Sequence, residues 1–139
     1  MEDRIERELE LRAPIERVWQ VITDPAYVAR WFGGKAEIDL RPGGAAVFGW
    51  PEEGMGDFHG VVERVEPPRE FSFRWMHDAG VPIGAEAVST LVELSLSPAG
   101  DGTRLRLVES GFADATHRKE NSEGWDAELA ELVALLADA

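Results

Sequence analysis

Glu109 is the side chain in this sequence best placed to do chemistry. It follows Leu105 and Leu107 at intervals of two, so on a strand it shares their inward face. Burial disfavours a charged carboxylate unless something pairs with it, and carboxylates so placed mark functional sites. The alternative is a structural carboxylate bonded to a backbone amide, an indole N–H or an arginine. His77 is in phase with Phe73 and Trp75. It is either a second polar group at one end of a pocket or a solvent-exposed strand end. With Tyr27, these are the residues an enzyme here would use as acid or base, and Glu109 is the only catalytic candidate of any weight. Other chemistries lack their residues. The serines lack a Gly-x-Ser-x-Gly setting, and the glycine pairs Gly33-Gly34 and Gly43-Gly44 read as cap and turn, not as a phosphate loop. His59, His77 and His117 lack metal-ligand spacing, and without cysteine there is no thiolate, disulfide or Cys-bound metal. No cofactor and no metal is expected.

The elements that would position Glu109 follow from periodicity. Residues 4–12 alternate as a half-buried strand, with Ile5, Leu9 and Leu11 on one face and Arg7 among them. Residues 14–23 read as a short amphipathic helix opened by Pro14. Asp24-Pro25 caps a second, carrying Val28, Trp31 and Phe32, which Gly33-Gly34 ends. Strands are expected at 36–40, 45–50, 58–66, 70–77, 88–97 and 103–111. The turn around Gly100 predicts the pairs Leu96–Leu105, Leu94–Leu107 and Val92–Glu109. Trp125, Leu129, Leu132, Val133 and Leu136 then form one stripe of a helix over roughly 122–137, with Glu123, Asp126, Glu128 and Glu131 on its solvent side. The order implies an α+β fold: a curved antiparallel sheet of about six to seven strands against a long C-terminal helix, with two short helices after the first strand.

Alternation also names the inward faces. The sheet offers Phe48, Trp50, Phe58, Phe71, Phe73, Trp75, Val92, Leu94, Leu105 and Leu107. The long helix offers Trp125, Leu129 and Val133, and the short helices Trp31 and Phe32. With five tryptophans and six phenylalanines, these build either a solid aromatic core or a ligand cavity. Small residues such as Ala46, Gly49, Gly60 and Gly84 would leave room for the latter. The segments 51–57 and 78–87 are candidate lids or ordinary hairpin connections.

The chain of 139 residues is read as one domain, 1–139. Its formal net charge of -13, from 27 acidic and 14 basic residues, disfavours nucleic acid and anionic membrane surfaces as partners. The start Met-Glu-Asp-Arg-Ile-Glu-Arg does not read as a secretory signal and no apolar run could span a bilayer, so a cytoplasmic location is expected.

The succession Ala13-Pro14-Ile15-Glu16-Arg17-Val18-Trp19, Thr23-Asp24-Pro25, Arg30-Trp31-Phe32, Pro42-Gly43-Gly44 and Val65-Glu66-Pro67-Pro68 resembles the START-like helix-grip superfamily (SRPBCC). So does its continuation through Phe73-Arg74-Trp75, Gly102-Thr103-Arg104-Leu105, Glu109-Ser110-Gly111-Phe112 and Gly124-Trp125. Within it, the likeness is to the group related to the C-terminal domain of the heat-shock protein 90 ATPase activator. The resemblance implies a cavity between sheet and helix, which members use for lipids, hormones or polyketide intermediates. It makes a small apolar molecule the expected partner, with Glu109 reading one polar group. Two alternatives follow: cyclase- or dehydratase-type catalysis by Glu109, and a co-chaperone role stimulating a heat-shock ATPase. The activator's additional N-terminal domain has no counterpart in these residues. An edge strand such as 36–40 could pair two copies in a homodimer.

Overall fold

The computed structural model describes residues 4–84 and 88–137. Strand β1 (Arg4–Leu11) leads into helices α1 (Ile15–Thr23) and α2 (Pro25–Trp31). Strands β2 (Lys35–Ile38), β3 (Ala45–Gly49), β4 (Asp57–Glu66), β5 (Glu70–Met76), β6 (Ser89–Ala99) and β7 (Gly102–Ser110) follow, then helix α3 (Ala115–Ala137). The seven strands form one antiparallel sheet in the order β1-β7-β6-β5-β4-β3-β2, leaving β1 and β2 as its edges. This is the expected α+β helix-grip architecture.

Local chemistry accounts for the elements. Pro14 stands just ahead of α1, its carbonyl accepting from the Arg17 and Val18 amides. The Asp24 carboxylate accepts from the Ala26 amide at 3.0 Å, and Pro25 follows with its φ preset for a helix. Leu96 pairs with Leu105, Leu94 with Leu107 and Val92 with Glu109, the register the Gly100 turn predicts. Arg7, the anomaly on the inward face of β1, reaches α3: its Nη2 donates to Ser122 Oγ at 2.7 Å and its Nε to Asp126 Oδ1 at 3.0 Å. The first strand is thereby tied to the last helix.

Helix α3 differs from expectation in two ways. It begins at Ala115, two turns before 122, with the Asp114 side chain capping the His117 amide at 2.8 Å. Its buried stripe is Trp125, Leu129, Leu132 and Leu136. Val133 lies one residue round the helix and is exposed, so it does not belong to the inward face as expected. Within the core, Trp31, Phe48, Phe71, Phe73 and Leu94 close around a void of only about 10 Å³. That half of the interior is packed solid, as interiors normally are. No helix among the described residues is long and apolar enough to cross a membrane.

Candidate functional site

The other half of the interior is open. Beyond Phe48 on β3 and Phe73 on β5, the same faces continue into Trp50 and Trp75, and the sheet and α3 part to leave a cavity of about 390 Å³. Its apolar wall is a ring cluster. Phe32 lies 5.1 Å from Trp50, 5.5 Å from Trp75 and 5.1 Å from Trp125, while Trp50 meets Phe58 edge-on at 5.5 Å. Met55, exposed on the 51–57 segment, closes one side, and His77, His117, Asn121 and Glu128 add polar groups.

Glu109 stands behind this wall. It is fully buried, and both carboxylate oxygens are engaged by side chains. Oε1 accepts from the Trp125 indole at 2.7 Å. Oε2 accepts from the Trp75 indole at 2.9 Å, the Thr90 hydroxyl at 2.5 Å and the Asn121 amide at 3.0 Å. All four donors line the cavity, whereas Glu109 does not. One carboxyl group thus fixes two indoles on different elements and takes up their N–H groups.

Of the residues proposed from sequence to touch a ligand, Trp50, Phe58, Trp75, His77 and Trp125 line the cavity. Trp31, Phe48, Phe73, Val92, Leu94, Leu107 and Leu129 lie in the packed core. Tyr27 sits away from the cavity, with the Arg17 guanidinium 4.7 Å above its ring.

By helical spacing alone Glu128 belongs to the solvent side of the last helix. The structure corrects this: it is half-buried at the cavity, accepting from the Gly33 amide at 3.1 Å and the Trp50 indole at 3.3 Å. Gly33 can come this close because it has no side chain. Its φ is +86°, and a Cβ there would lie 2.3 Å from the Gly49 carbonyl oxygen. Burial pushes the Glu128 carboxyl above its usual range. The Trp50 and Gly33 N–H groups oppose this, and the nearby Glu53 and Glu131 carboxylates reinforce it. Sequence offered no sign of these partners, which arrive from far along the chain. Asp114, a good helix cap, was a legible sign that α3 starts early enough to bring in His117 and Asn121.

His117 is buried with its ring centroid 3.6 Å from that of His77. Its Nδ1 accepts from the Ala113 amide at 3.5 Å, and its buried Nε2 has no partner among the described residues. Burial, and then the His77 ring, hold its pKa below the ordinary imidazole value. Glu109, Asp114 and Glu120 pull more weakly the other way. The unfolded chain therefore takes up a proton near pH ~6.5 that the folded chain refuses. This contribution to stability is fully present above that pH and is lost as pH falls from there toward the folded-state value. Denaturant unfolding followed from about pH 7.5 to 5.5 should show this loss, and His117→Phe should flatten it. An unchanged slope in the variant would place the titration on another group.

No group of three or more His, Asp or Glu side chains able to hold a metal comes together among the described residues. The comparisons with known proteins agree with the architecture. A family model described as Activator of Hsp90 ATPase homolog 1-like protein matches residues 12–137. CalU16 from Micromonospora echinospora shares 32% identity over 93% of this chain and 73% of its own, with a TM-score of 0.74. DynU16, of the dynemicin biosynthetic locus, is 24% identical with a TM-score of 0.81. The match covers 99% of this chain but only 48% of DynU16, so the chain spans about half of that protein's length. The Aha1 dimer from Colwellia psychrerythraea is 18% identical, over 96% of this chain and 95% of that one, with a TM-score of 0.77. At such identities the last two show the fold alone. None of the curated proteins compared matches the chain by sequence. With its family match running almost from end to end over a seven-stranded helix-grip sheet, the chain belongs to the family of Activator of Hsp90 ATPase homolog 1-like proteins.

Proposed function

We propose that this protein is a binding module for a small, largely apolar molecule, held in the cavity between the sheet and α3. The observation that carries the reading is the cavity itself. Its volume of about 390 Å³ lies within the range of small-molecule sites, and its wall is aromatic with a few placed polar groups. Affinity would come from apolar burial, at roughly 25 cal/mol per Å² before the costs of association, and orientation from Asn121 and Glu128. Glu109 serves by holding the indoles. Acid–base chemistry there would require it to give up bonds to the wall it supports, so binding is favoured over catalysis.

Native mass spectrometry of the protein against its denatured mass is expected to show a removable extra mass. Trp50→Ala should weaken capture about tenfold while circular dichroism stays unchanged, since the lost ring is mainly cavity wall. A bare mass, together with tryptophan fluorescence insensitive to apolar probes, would overturn the reading.

The family supports a second reading, an interaction with a heat-shock ATPase in which the 139 residues act as one cytoplasmic domain. Stimulation of a purified heat-shock 90 ATPase by the protein tests it; no change in turnover would remove it. The Colwellia relative is described as a dimer. Here the short edge strand β2 is the proposed pairing surface between copies, and sedimentation would settle it.

A further inference from the structure

The cavity wall carries charge of one sign. Glu53, Glu120 and Glu128 line it, and none of the described lysines or arginines does. His117, held below the ordinary imidazole pKa by burial and the His77 ring, adds no fixed positive charge. Two further features bear on what an occupant would be.

The first is the tethering of the indoles. Trp75 and Trp125 donate their N–H groups to Glu109, and Trp50 donates to Glu128. Each indole is thus bonded to a carboxylate through its electropositive edge, which shifts electron density toward the ring and strengthens the negative potential of its faces. With their N–H groups engaged, the indoles of Trp50 and Trp75 contribute apolar ring surface to the lining, and a tryptophan ring is the best aromatic partner for a cation. The second feature is the imbalance at Glu128. Its two partners are neutral N–H groups, its charged neighbours Glu53 and Glu131 are acids, and no ion pair compensates it among the described residues. A half-buried carboxylate in an aromatic wall thus stands without a counter-charge among the described residues.

We propose that this cavity selects an occupant bearing a cationic nitrogen, an amine or quaternary ammonium on an apolar body, and rejects carboxylates with the same body. This rests on the ligand-binding reading above and narrows its ligand class. The nitrogen lies against the Trp50 face and Glu128, and the apolar body runs along Phe32, Phe58 and Trp75.

The test uses three probes that share one body and differ in the head group: 4-phenylbutylamine, 4-phenyl-1-butanol and 4-phenylbutyrate. Binding to the full chain is followed by calorimetry and tryptophan fluorescence. The amine is expected to bind about tenfold more tightly than the alcohol, and the carboxylate more weakly than both. In Glu128→Gln the ratio of amine to alcohol affinity should fall by about the same factor, because that ratio isolates the charge from the burial of the body. If the alcohol or the carboxylate binds as well as the amine, the charge selectivity is wrong while the cavity remains a ligand site. If none of the three binds, both the selectivity and the ligand-binding reading fall.

Discussion

Glu109→Ala is expected to lower the stability of the fold by about 3–5 kcal/mol, a large effect for a single polar substitution. The wild-type carboxylate accepts four side-chain bonds from Trp75, Thr90, Asn121 and Trp125. Truncation leaves two indole N–H groups, a hydroxyl and an amide facing a hole, and each buried donor without an acceptor costs about 1–3 kcal/mol. Water entering from the adjacent cavity will recover part of this, which keeps the total below the simple sum. Glu109→Gln separates bonding from volume. The amide oxygen can replace Oε2 before its three donors, but the NH2 group then meets the Trp125 indole, donor against donor. The expected loss is about 1–3 kcal/mol at nearly constant volume. Denaturant unfolding with fluorescence detection gives both numbers, and the order wild type, Gln, Ala is the prediction. A Gln variant as stable as wild type would show that the carboxylate is not the acceptor the indoles depend on.

The inward placement of Glu109 was legible because strand alternation is a local rule and the Gly100 turn fixes the pairing of β6 with β7. The four bonds were not legible, since their donors come from three separate elements and no local pattern links them. The same limit explains Glu128. On a helical projection it flanks the stripe of Trp125 and Leu129 and reads as solvent-facing. Only Gly33 and the Trp50 indole, brought in by tertiary structure, turn it into a cavity group. The early turns of α3 were missed because their inward residues, His117 and Asn121, are polar, so the apolar period starts only at Trp125. Alternation also cannot say where a packed core becomes a cavity. Phe48 on β3 and Trp50 just past its end stand two residues apart in the alternation, as do Phe73 and Trp75 on β5, yet the first of each pair is core and the second is wall. The difference lies in how far α3 and the 51–57 segment stand from the sheet, a property of the assembled fold.

Phe32 sits at that boundary, and Phe32→Ala is expected to cost about 3–5 kcal/mol. The ring is 3% exposed and meets five others: Trp31 at 5.4 Å, Phe48 at 5.3 Å, Trp50 and Trp125 at 5.1 Å, and Trp75 at 5.5 Å. It lies nearly parallel to Trp125, at 18°, and edge-on to Phe48. Each such pair adds about 0.5–1.5 kcal/mol beyond its area, and the terms are not additive because the five neighbours share one ring. Phe32 borders both the open cavity and the small void in the packed half. Removing it therefore joins the two into one larger space. Phe32→Leu fills most of that space and should cost appreciably less than Ala, so the pair of variants measures the joining itself. A consequence follows for ligands. A phenyl-bodied probe such as 4-phenyl-1-butanol can reoccupy the space in the alanine variant, and at about 100 times its Kd it returns about 2.7 kcal/mol through mass action. Thermal unfolding with and without the probe should thus show a larger upward shift of Tm in Phe32→Ala than in Phe32→Leu. Equal stabilities of wild type and Phe32→Ala would mean that the ring does not hold the core and cavity apart; equal probe-induced shifts in the two variants would mean that the space it leaves collapses instead of opening into the site.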